Sequence, residues 1–142
     1  MSRLTALLAA IALSATALAC QGNVFQLKLG DCFTGGDSAN VSNVDLVPCT
    51  QAHDAEVYYV FDYPNAPSSF PGDDAVQTAA TDGCKPAFAD FVGLDFDSSS
   101  YGLKYLRPTS DSWGSGDRAI DCLITSGDGT SQLTGSAKGT AK

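Results

Sequence analysis

Four widely spaced cysteines place the strongest constraint on how this chain can fold. They are Cys32, Cys49, Cys84 and Cys122. The sequence has no C-x-x-C pair and a single histidine, so the ligand spacing of a zinc site is missing. In an exported chain, four such cysteines normally form two disulfides, for which sequence alone permits three connectivities. We predict that Cys32–Cys49 closes a hairpin-like segment and that Cys84–Cys122 ties a helix to a later strand.

Residues 1–19 have the layout of a secretory signal peptide. Arg3 supplies a positive charge, and an uncharged run of mostly small and apolar residues extends from Leu4 to Ala19. This run is shorter than the roughly 20 apolar residues that anchor a helix across a bilayer. We therefore expect export, with cleavage before Cys20.

Cys20 itself allows two interpretations. A cysteine directly after such a run resembles the lipobox of bacterial lipoproteins, in which the cysteine is acylated and becomes the new N-terminus. The lipobox prefers Leu where this chain has Ala17, and an ordinary signal peptidase would also accept this site, which favours simple secretion. The number of cysteines favours acylation. Cleavage by an ordinary signal peptidase leaves five cysteines, whereas acylating Cys20 leaves four that can all form disulfides. We predict a membrane-anchored envelope lipoprotein, with a secreted or periplasmic protein as the alternative.

Composition narrows the class of protein further. A length of 142 residues predicts one domain, and 44% hydrophobic with 17% charged residues excludes a disordered acidic tail. The net charge of −8 comes without any basic cluster, so no surface suits a phosphate backbone and nucleic acid is excluded as a partner. The sequence also carries no glycine-rich phosphate-binding motif, and we predict no cofactor.

The hydrophobic pattern predicts an α+β fold, a small antiparallel sheet with a helical segment on one face. The helix should begin at Asp73 and end at Gly93, with a kink or a second start at Pro86. Residues 65–72 form a proline-rich loop. We predict a tether at 20–23, the domain at 24–139 with fraying from 137 onward, and a frayed tail at 140–142. The predicted strands are 24–29, 44–47, 56–61, 101–106, 119–125 and 132–135.

Several short motifs occur together in one order. They are Gly30-Asp31-Cys32-Phe33, Val47-Pro48-Cys49, the segment 53–57, the helix end 84–93, Pro108-Thr109, Ser112-Trp113, Gly116-Asp117-Arg118, Cys122 and the segment 133–136. In this order the chain resembles the septum-formation domain of bacterial envelope proteins over nearly all of its mature length. The resemblance implies an exported or membrane-attached protein associated with cell division, and it implies no catalytic residues.

His53 and Glu56 are the first candidate site. A histidine near a carboxylate can act as acid and base or bind a metal, but no second histidine and no nucleophile motif accompany this pair. On one strand, residues three apart would point to opposite faces. The structural alternative is that His53 hydrogen-bonds the turn after Cys49 while Glu56 lies at a strand edge. We favour that alternative and predict neither a catalytic residue nor a metal site.

Trp113, Asp117 and Arg118 are the second candidate site. A tryptophan on a glycine-rich turn with charged neighbours can stack on a sugar ring and bond its hydroxyls. The structural alternative is that Trp113 covers the edge of the core while Arg118 pairs with Asp117 or Asp111. We predict that any ligand surface centres on Trp113 and Arg118.

The predicted strand 56–61 carries a run of aromatic residues. Strict alternation would place Tyr58 on one face and Tyr59, Phe61 and Tyr63 on the other. If helices leave one face uncovered, its aromatics form a patch suited to a protein partner. A sheet buried on both faces is the alternative.

These features favour a non-catalytic binding module of the envelope, and the resemblance implies that it acts in septum formation. Its expected partners are an envelope or division protein, or a cell-wall glycan, together with the membrane through acylated Cys20. The alternative is a small hydrolase or transferase acting on the cell wall. An enzyme would need a cleft that contains His53 and at least two other ionisable groups.

Overall fold

The computed structural model describes residues 20–36 and 41–142, so the predicted signal peptide lies outside the described residues. The strands are β1 Cys20–Asn23, β2 Cys32–Thr34, β3 Asn43–Val47, β4 Ala52–His53, β5 Ala55–Asp62, β6 Tyr101–Leu106, β7 Ala119–Ser126 and β8 Leu133–Thr134. The α-helices are α1 Asp73–Val92 and α2 Ser110–Gly114, and the 3-10 turns are η1 Val24–Gln26 and η2 Phe96–Ser98. Among these helices, none has the length and apolar character needed to cross a membrane.

Six strands form an antiparallel sheet in the order β1-β3-β2-β5-β7-β6, and β4 pairs with β8 in a separate two-stranded ribbon. This arrangement confirms the α+β prediction. β5 lies inside the sheet, between β2 and β7, and its β-branched and aromatic residues suit such a position.

Helix α1 packs one face of the sheet through side chains at helical spacing. The side chains that are fully buried along this face are Val76, Ala80, Cys84, Phe88 and Val92. Gly93 ends the helix in the left-handed conformation and donates its N–H to the carbonyl of Ala89. The prediction of a second helix at Pro86 is wrong, because α1 continues through this residue. Pro86 is exposed, so water can reach the Asp82 carbonyl that loses its helical partner.

Both predicted disulfides are confirmed. Cys84–Cys122 joins α1 to β7 with a Cα–Cα distance of 5.4 Å. Cys32–Cys49 joins β2 to the turn after β3 with a Cα–Cα distance of 5.2 Å.

The sheet has an apolar cluster on each side. On the α1 side, Phe88 and Ile124 are central members. On the other side, Val24 and Leu27 pack with Phe33 and Val57. The chain around η1 therefore covers the face of the sheet that α1 leaves open.

The amino-terminal predictions are wrong in two places. Residues 20–23 are not a tether but strand β1, in which Cys20 lies opposite Leu46. The predicted strand at 24–29 is absent, since η1 forms at Val24–Gln26. Val24 and Leu27 are buried three residues apart, which suits a helical turn rather than strict alternation.

The carboxyl-terminal segment 137–142 is docked and not frayed. The N–H groups of Gly139 and Ala141 donate to the carbonyls of Phe91 and Val92, each at 2.8 Å. Ala137 is 1% exposed. These bonds fix the segment against the end of α1.

A β-bulge at Tyr58 breaks the alternation expected along β5. Val57 lies opposite Leu123, whereas Tyr59 lies opposite the adjacent residue Cys122. Tyr58 donates its hydroxyl to the Cys84 carbonyl at 2.7 Å, on the α1 side. Burial, with a smaller contribution from Tyr105, raises the pKa of Tyr58, so the phenol remains a donor. Because Cys122 also faces α1, Tyr58 and Tyr59 lie on the same side of the sheet, and the prediction of opposite faces is wrong.

Candidate functional site

An open groove runs between the end of β5 and the outer surface of α1, with a volume of about 680 Å³. Phe61, Tyr63 and Pro64 form its strand side. The helix side is formed by Asp74, Ala75, Thr78, Ala79, Asp82 and Gly83. The groove thus has an apolar floor and a polar rim on the helix.

Gly83 sets the depth of this groove. A Cβ at this position would lie 2.2 Å from the Phe61 ring, so only glycine lets the ring rest directly on the helix. The Phe61 ring in turn stacks on Tyr59, with centroids 5.5 Å apart. Tyr59 is 41% exposed. The bulge and Gly83 together produce a continuous aromatic surface from Tyr59 into the groove.

Two carboxylates stand on the groove rim without an ion-pair partner among the described residues. Asp74 and Asp82 are exposed, and neither forms an ion pair within residues 20–36 and 41–142. They are eight residues apart on α1, which corresponds to about 12 Å along the helix axis. The rim therefore presents two negative charges at a fixed separation beside the half-buried rings of Phe61 and Tyr63.

His53 lies away from this groove and is fully buried. Its Nδ1 is 2.8 Å from the Gln51 carbonyl oxygen, and because a carbonyl only accepts, Nδ1 carries the proton. This contact confirms the predicted bond to the turn after Cys49. The buried Nε2 has no partner within the part of the chain that the structure describes. Since His53 belongs to β4 and Glu56 to β5, the alternation rule that predicted opposite faces does not relate the two side chains.

Glu56 is 1% exposed, and the prediction that it lies at a strand edge is wrong because β5 is an interior strand. Its carboxylate accepts the Ser136 hydroxyl at 2.5 Å and the Ala137 N–H at 2.7 Å. It also lies beside the Cys32–Cys49 disulfide, with the ligand-type atoms of all three residues within 4.8 Å of one another. The two sulfurs are bonded to each other, so Glu56 serves as an anchor for the carboxyl-terminal segment.

Trp113 is 2% exposed, so the prediction of an exposed stacking platform is wrong. Its ring packs edge-on against Tyr63 and Phe70, and the Arg118 guanidinium lies 3.7 Å from the ring centroid. Arg118 donates to the carbonyls of Trp113 and Asp117 rather than to the predicted carboxylates. Asp117 uses its own carboxylate to accept the Ala119 N–H at 3.1 Å. This cluster stabilises the turn before β7 and covers the core, as the structural alternative predicted.

Sequence reasoning missed the groove rim, although a signal was present. Asp74, Thr78 and Asp82 recur every four residues, which places them on one exposed face of α1. Lys85 is the basic residue on this face, but its ammonium group pairs with Asp97 at 2.9 Å rather than with these carboxylates. No local sequence pattern indicates the depth of the groove, because this depth depends on the contact between Gly83 and Phe61.

Asp121 gives the protein an expected pH dependence. Burial, with a smaller contribution from Asp117, raises the pKa of Asp121 from 3.8 to about 7. Between these values the folded state binds more protons than the unfolded state, so the free energy of unfolding falls as pH rises. The contribution of this one group is at most about 1.4 kcal/mol per pH unit.

Denaturant unfolding of the wild type and of Asp121→Asn across this pH range measures the effect. We expect the variant to gain stability relative to the wild type as pH rises from about 4 to about 7. A constant difference between the two proteins over this range would contradict the assignment.

Comparison with known proteins identifies the family of this chain. A family model described as "Septum formation" matches residues 29–142, which is most of the chain. The chain belongs to the septum-formation family. The chain is also 33% identical over 117 residues to "Putative lipoprotein LppN" of Mycobacterium tuberculosis, and the same figures hold for the protein of that name in Mycobacterium bovis. Each match covers 79% of this chain and 62% of the relative, so the chain spans less than two thirds of the length of these relatives. No solved structure gives a significant match.

Family and relatives together indicate an envelope protein. The septum-formation family and the lipoprotein relative agree with the expected envelope location.

Proposed function

We propose that this septum-formation protein is a non-catalytic binding module that a lipid on Cys20 holds at the cell envelope, where it binds a division protein. The observation that carries the binding role is the groove between β5 and α1. It combines the partly exposed rings of Phe61 and Tyr63 with two carboxylates, Asp74 and Asp82, that form no ion pair among the described residues. Apolar surface next to unpaired charge is typical of a binding site for a partner with matching groups.

Charge complementarity indicates the chemistry of the partner. The rim is acidic and the whole chain has a net charge of −8, so a cationic partner is attracted both locally and at long range. The separation of about 12 Å between Asp74 and Asp82 matches two side chains four residues apart on an extended segment. The groove therefore suits an extended segment of a division protein that carries Lys or Arg at such spacing and apolar residues between them.

Cell-wall hydrolysis or transfer has less support. A general base must reach the proton that it removes, and His53 is fully buried with Nδ1 already bonded to Gln51. Neither the groove nor the second described cleft, which β1 and the segment after η1 line, contains this histidine. The groove offers carboxylates at a separation suited to binding.

A titration tests the binding role. The probe is a capped synthetic peptide of the repeat Lys-Ser-Leu-Ser, in which Lys and Leu project from the same side of an extended chain, and its control is the peptide with Glu in place of Lys. We expect the lysine peptide to shift the amide resonances of Thr78 and Gly83, with weaker binding at high salt.

A matched pair of variants localises the effect. Asp82→Lys reverses a rim charge, whereas Asp90→Lys makes the same change at an exposed position of α1 outside the groove. We expect Asp82→Lys to weaken binding by up to about 30-fold, since it removes an attraction and adds a repulsion of up to about 1 kcal/mol each. Equal weakening by both variants would mean that the peptide responds to net charge alone.

Acylation of Cys20 is tested separately. The structure describes Cys20 as an exposed free cysteine, while Cys32, Cys49, Cys84 and Cys122 are all paired. We expect mass spectrometry of the membrane fraction to find an N-terminal acylated Cys20, and Cys20→Ser to release the protein from that fraction. Recovery of the whole mature protein in unacylated, soluble form would contradict lipid anchoring and leave the groove unaffected.

A further inference from the structure

The amino-terminal part of the domain exposes two large apolar side chains. Phe25 is 57% exposed and Leu29 is 63% exposed, more than Tyr59 or Val60 on the sheet. Between them, Leu27 is 8% exposed and packs in the core. The segment is therefore held in place by its inward side chains while Phe25 and Leu29 each expose more than half of their surface to solvent.

This apolar surface lies next to the residue that would carry the lipid. Cys20 is the first residue of β1, so no flexible spacer separates an acyl chain on Cys20 from the folded sheet. β1 spans about 10 Å, and η1 follows it directly. Lys28 lines the same cleft as Gln21 and Gly22, which brings the segment after η1 back beside β1.

The charge of the segment is compatible with a lipid surface. Lys28 lies between the two exposed apolar residues in sequence, and its ammonium group forms no ion pair within the residues that the structure describes. A cation flanked by apolar side chains suits the interface of a bilayer that contains anionic lipids. The Asp31 carboxylate accepts the Lys28 N–H and lines the same cleft, so the exposed apolar side chains contribute more to such contact than net charge does.

We propose that Phe25 and Leu29 insert into the bilayer interface and dock the domain on the membrane through the face that η1 covers. The proposal rests on the proposed anchoring at Cys20. Two apolar side chains bind a membrane weakly by themselves, but a tether at Cys20 raises their effective concentration at the surface.

Docking of this kind would fix the orientation of the whole domain. η1 and α1 cover opposite faces of the sheet, so α1 and the groove would face away from the bilayer. The groove would then be accessible to a division protein in the envelope.

The free thiol of Cys20 allows a direct test that does not depend on cellular acylation. The mature chain from Cys20, with its disulfides formed, is coupled through this thiol to a maleimide lipid. The vesicles contain phosphatidylcholine and phosphatidylglycerol, with or without bromine on the acyl chains. Bromine quenches tryptophan emission only at short range, so it reports which side chains enter the bilayer.

Three variants place a tryptophan on the two surfaces. Phe25→Trp and Leu29→Trp probe the proposed docking face, and Tyr59→Trp is the control beside the groove. The native Trp113 is 2% exposed and supplies a constant background. Denaturant unfolding of each variant before coupling verifies that it is folded.

We expect brominated lipid to reduce the emission of Phe25→Trp and Leu29→Trp and to leave Tyr59→Trp unchanged. Quenching of Tyr59→Trp instead would show that the groove side faces the membrane and would overturn the proposal. Equal emission of all three variants with and without bromine would show a domain that is tethered but not docked, which would also overturn it. A shift of emission without quenching would show contact between protein copies rather than with lipid. If Cys20 is not acylated in cells, the anchoring proposal fails while this experiment still reports the docking face.

Discussion

Replacing both Cys84 and Cys122 with alanine should lower the free energy of unfolding by about 4 kcal/mol. The disulfide between them closes a loop of 38 residues, and its loss restores the conformational freedom of that loop in the unfolded chain. Both cysteines are fully buried in the cluster between α1 and the sheet, so truncation also leaves unfilled space in the core. A loss of this size is comparable with the whole stability of a small domain.

The second disulfide supplies the matched comparison. Replacing Cys32 and Cys49 with alanine opens a loop of only 17 residues, for which we expect about 3 kcal/mol. Denaturant unfolding followed by circular dichroism measures both effects. A smaller loss for the Cys84–Cys122 pair than for the Cys32–Cys49 pair would contradict the role assigned to the bridge between α1 and β7.

Trp113→Ala should cost about 3 to 5 kcal/mol, the usual range for truncating a large buried aromatic side chain. The change removes the contacts with Tyr63 and Phe70 and the surface on which the Arg118 guanidinium rests. Loss of function in this variant would therefore follow from loss of folded protein.

Tyr59→Ala is the control for this experiment. Tyr59 is also aromatic but is 41% exposed, so we expect its truncation to cost less than about 1 kcal/mol. Thermal and denaturant unfolding compare the two variants. A Trp113→Ala protein as stable as the wild type would contradict the stabilising role of the buried Trp113 and would favour a role for it in ligand binding.

Features with a long and regular sequence pattern were predictable. The buried positions of α1 repeat at helical spacing over about five turns, and Gly93 supplies a clear end signal. The disulfide Cys84–Cys122 then followed from the position of the helix and a later strand. The segment 24–29 was too short for its hydrophobic pattern to distinguish a strand from a helical turn, and the burial of both Val24 and Leu27 became clear only in the folded chain.

Features that depend on distant residues could not be predicted. The carboxyl-terminal segment is polar and small, which locally indicates fraying, but the Glu56 carboxylate fixes it from 81 residues away. Trp113 is likewise buried by Tyr63 and Phe70, which lie far from it in sequence. The groove has the same origin, since Phe61 and Gly83 meet only in the folded chain.

Division in cells that lack the chromosomal copy tests the central claim most directly. The strain is complemented with the wild type, Asp82→Lys or Asp90→Lys, and cell length and septum spacing are measured at equal protein levels. A binding groove on α1 predicts that the wild type and Asp90→Lys restore normal septa while Asp82→Lys leaves cells elongated. Normal septa with Asp82→Lys would contradict the claim that this groove binds a division partner.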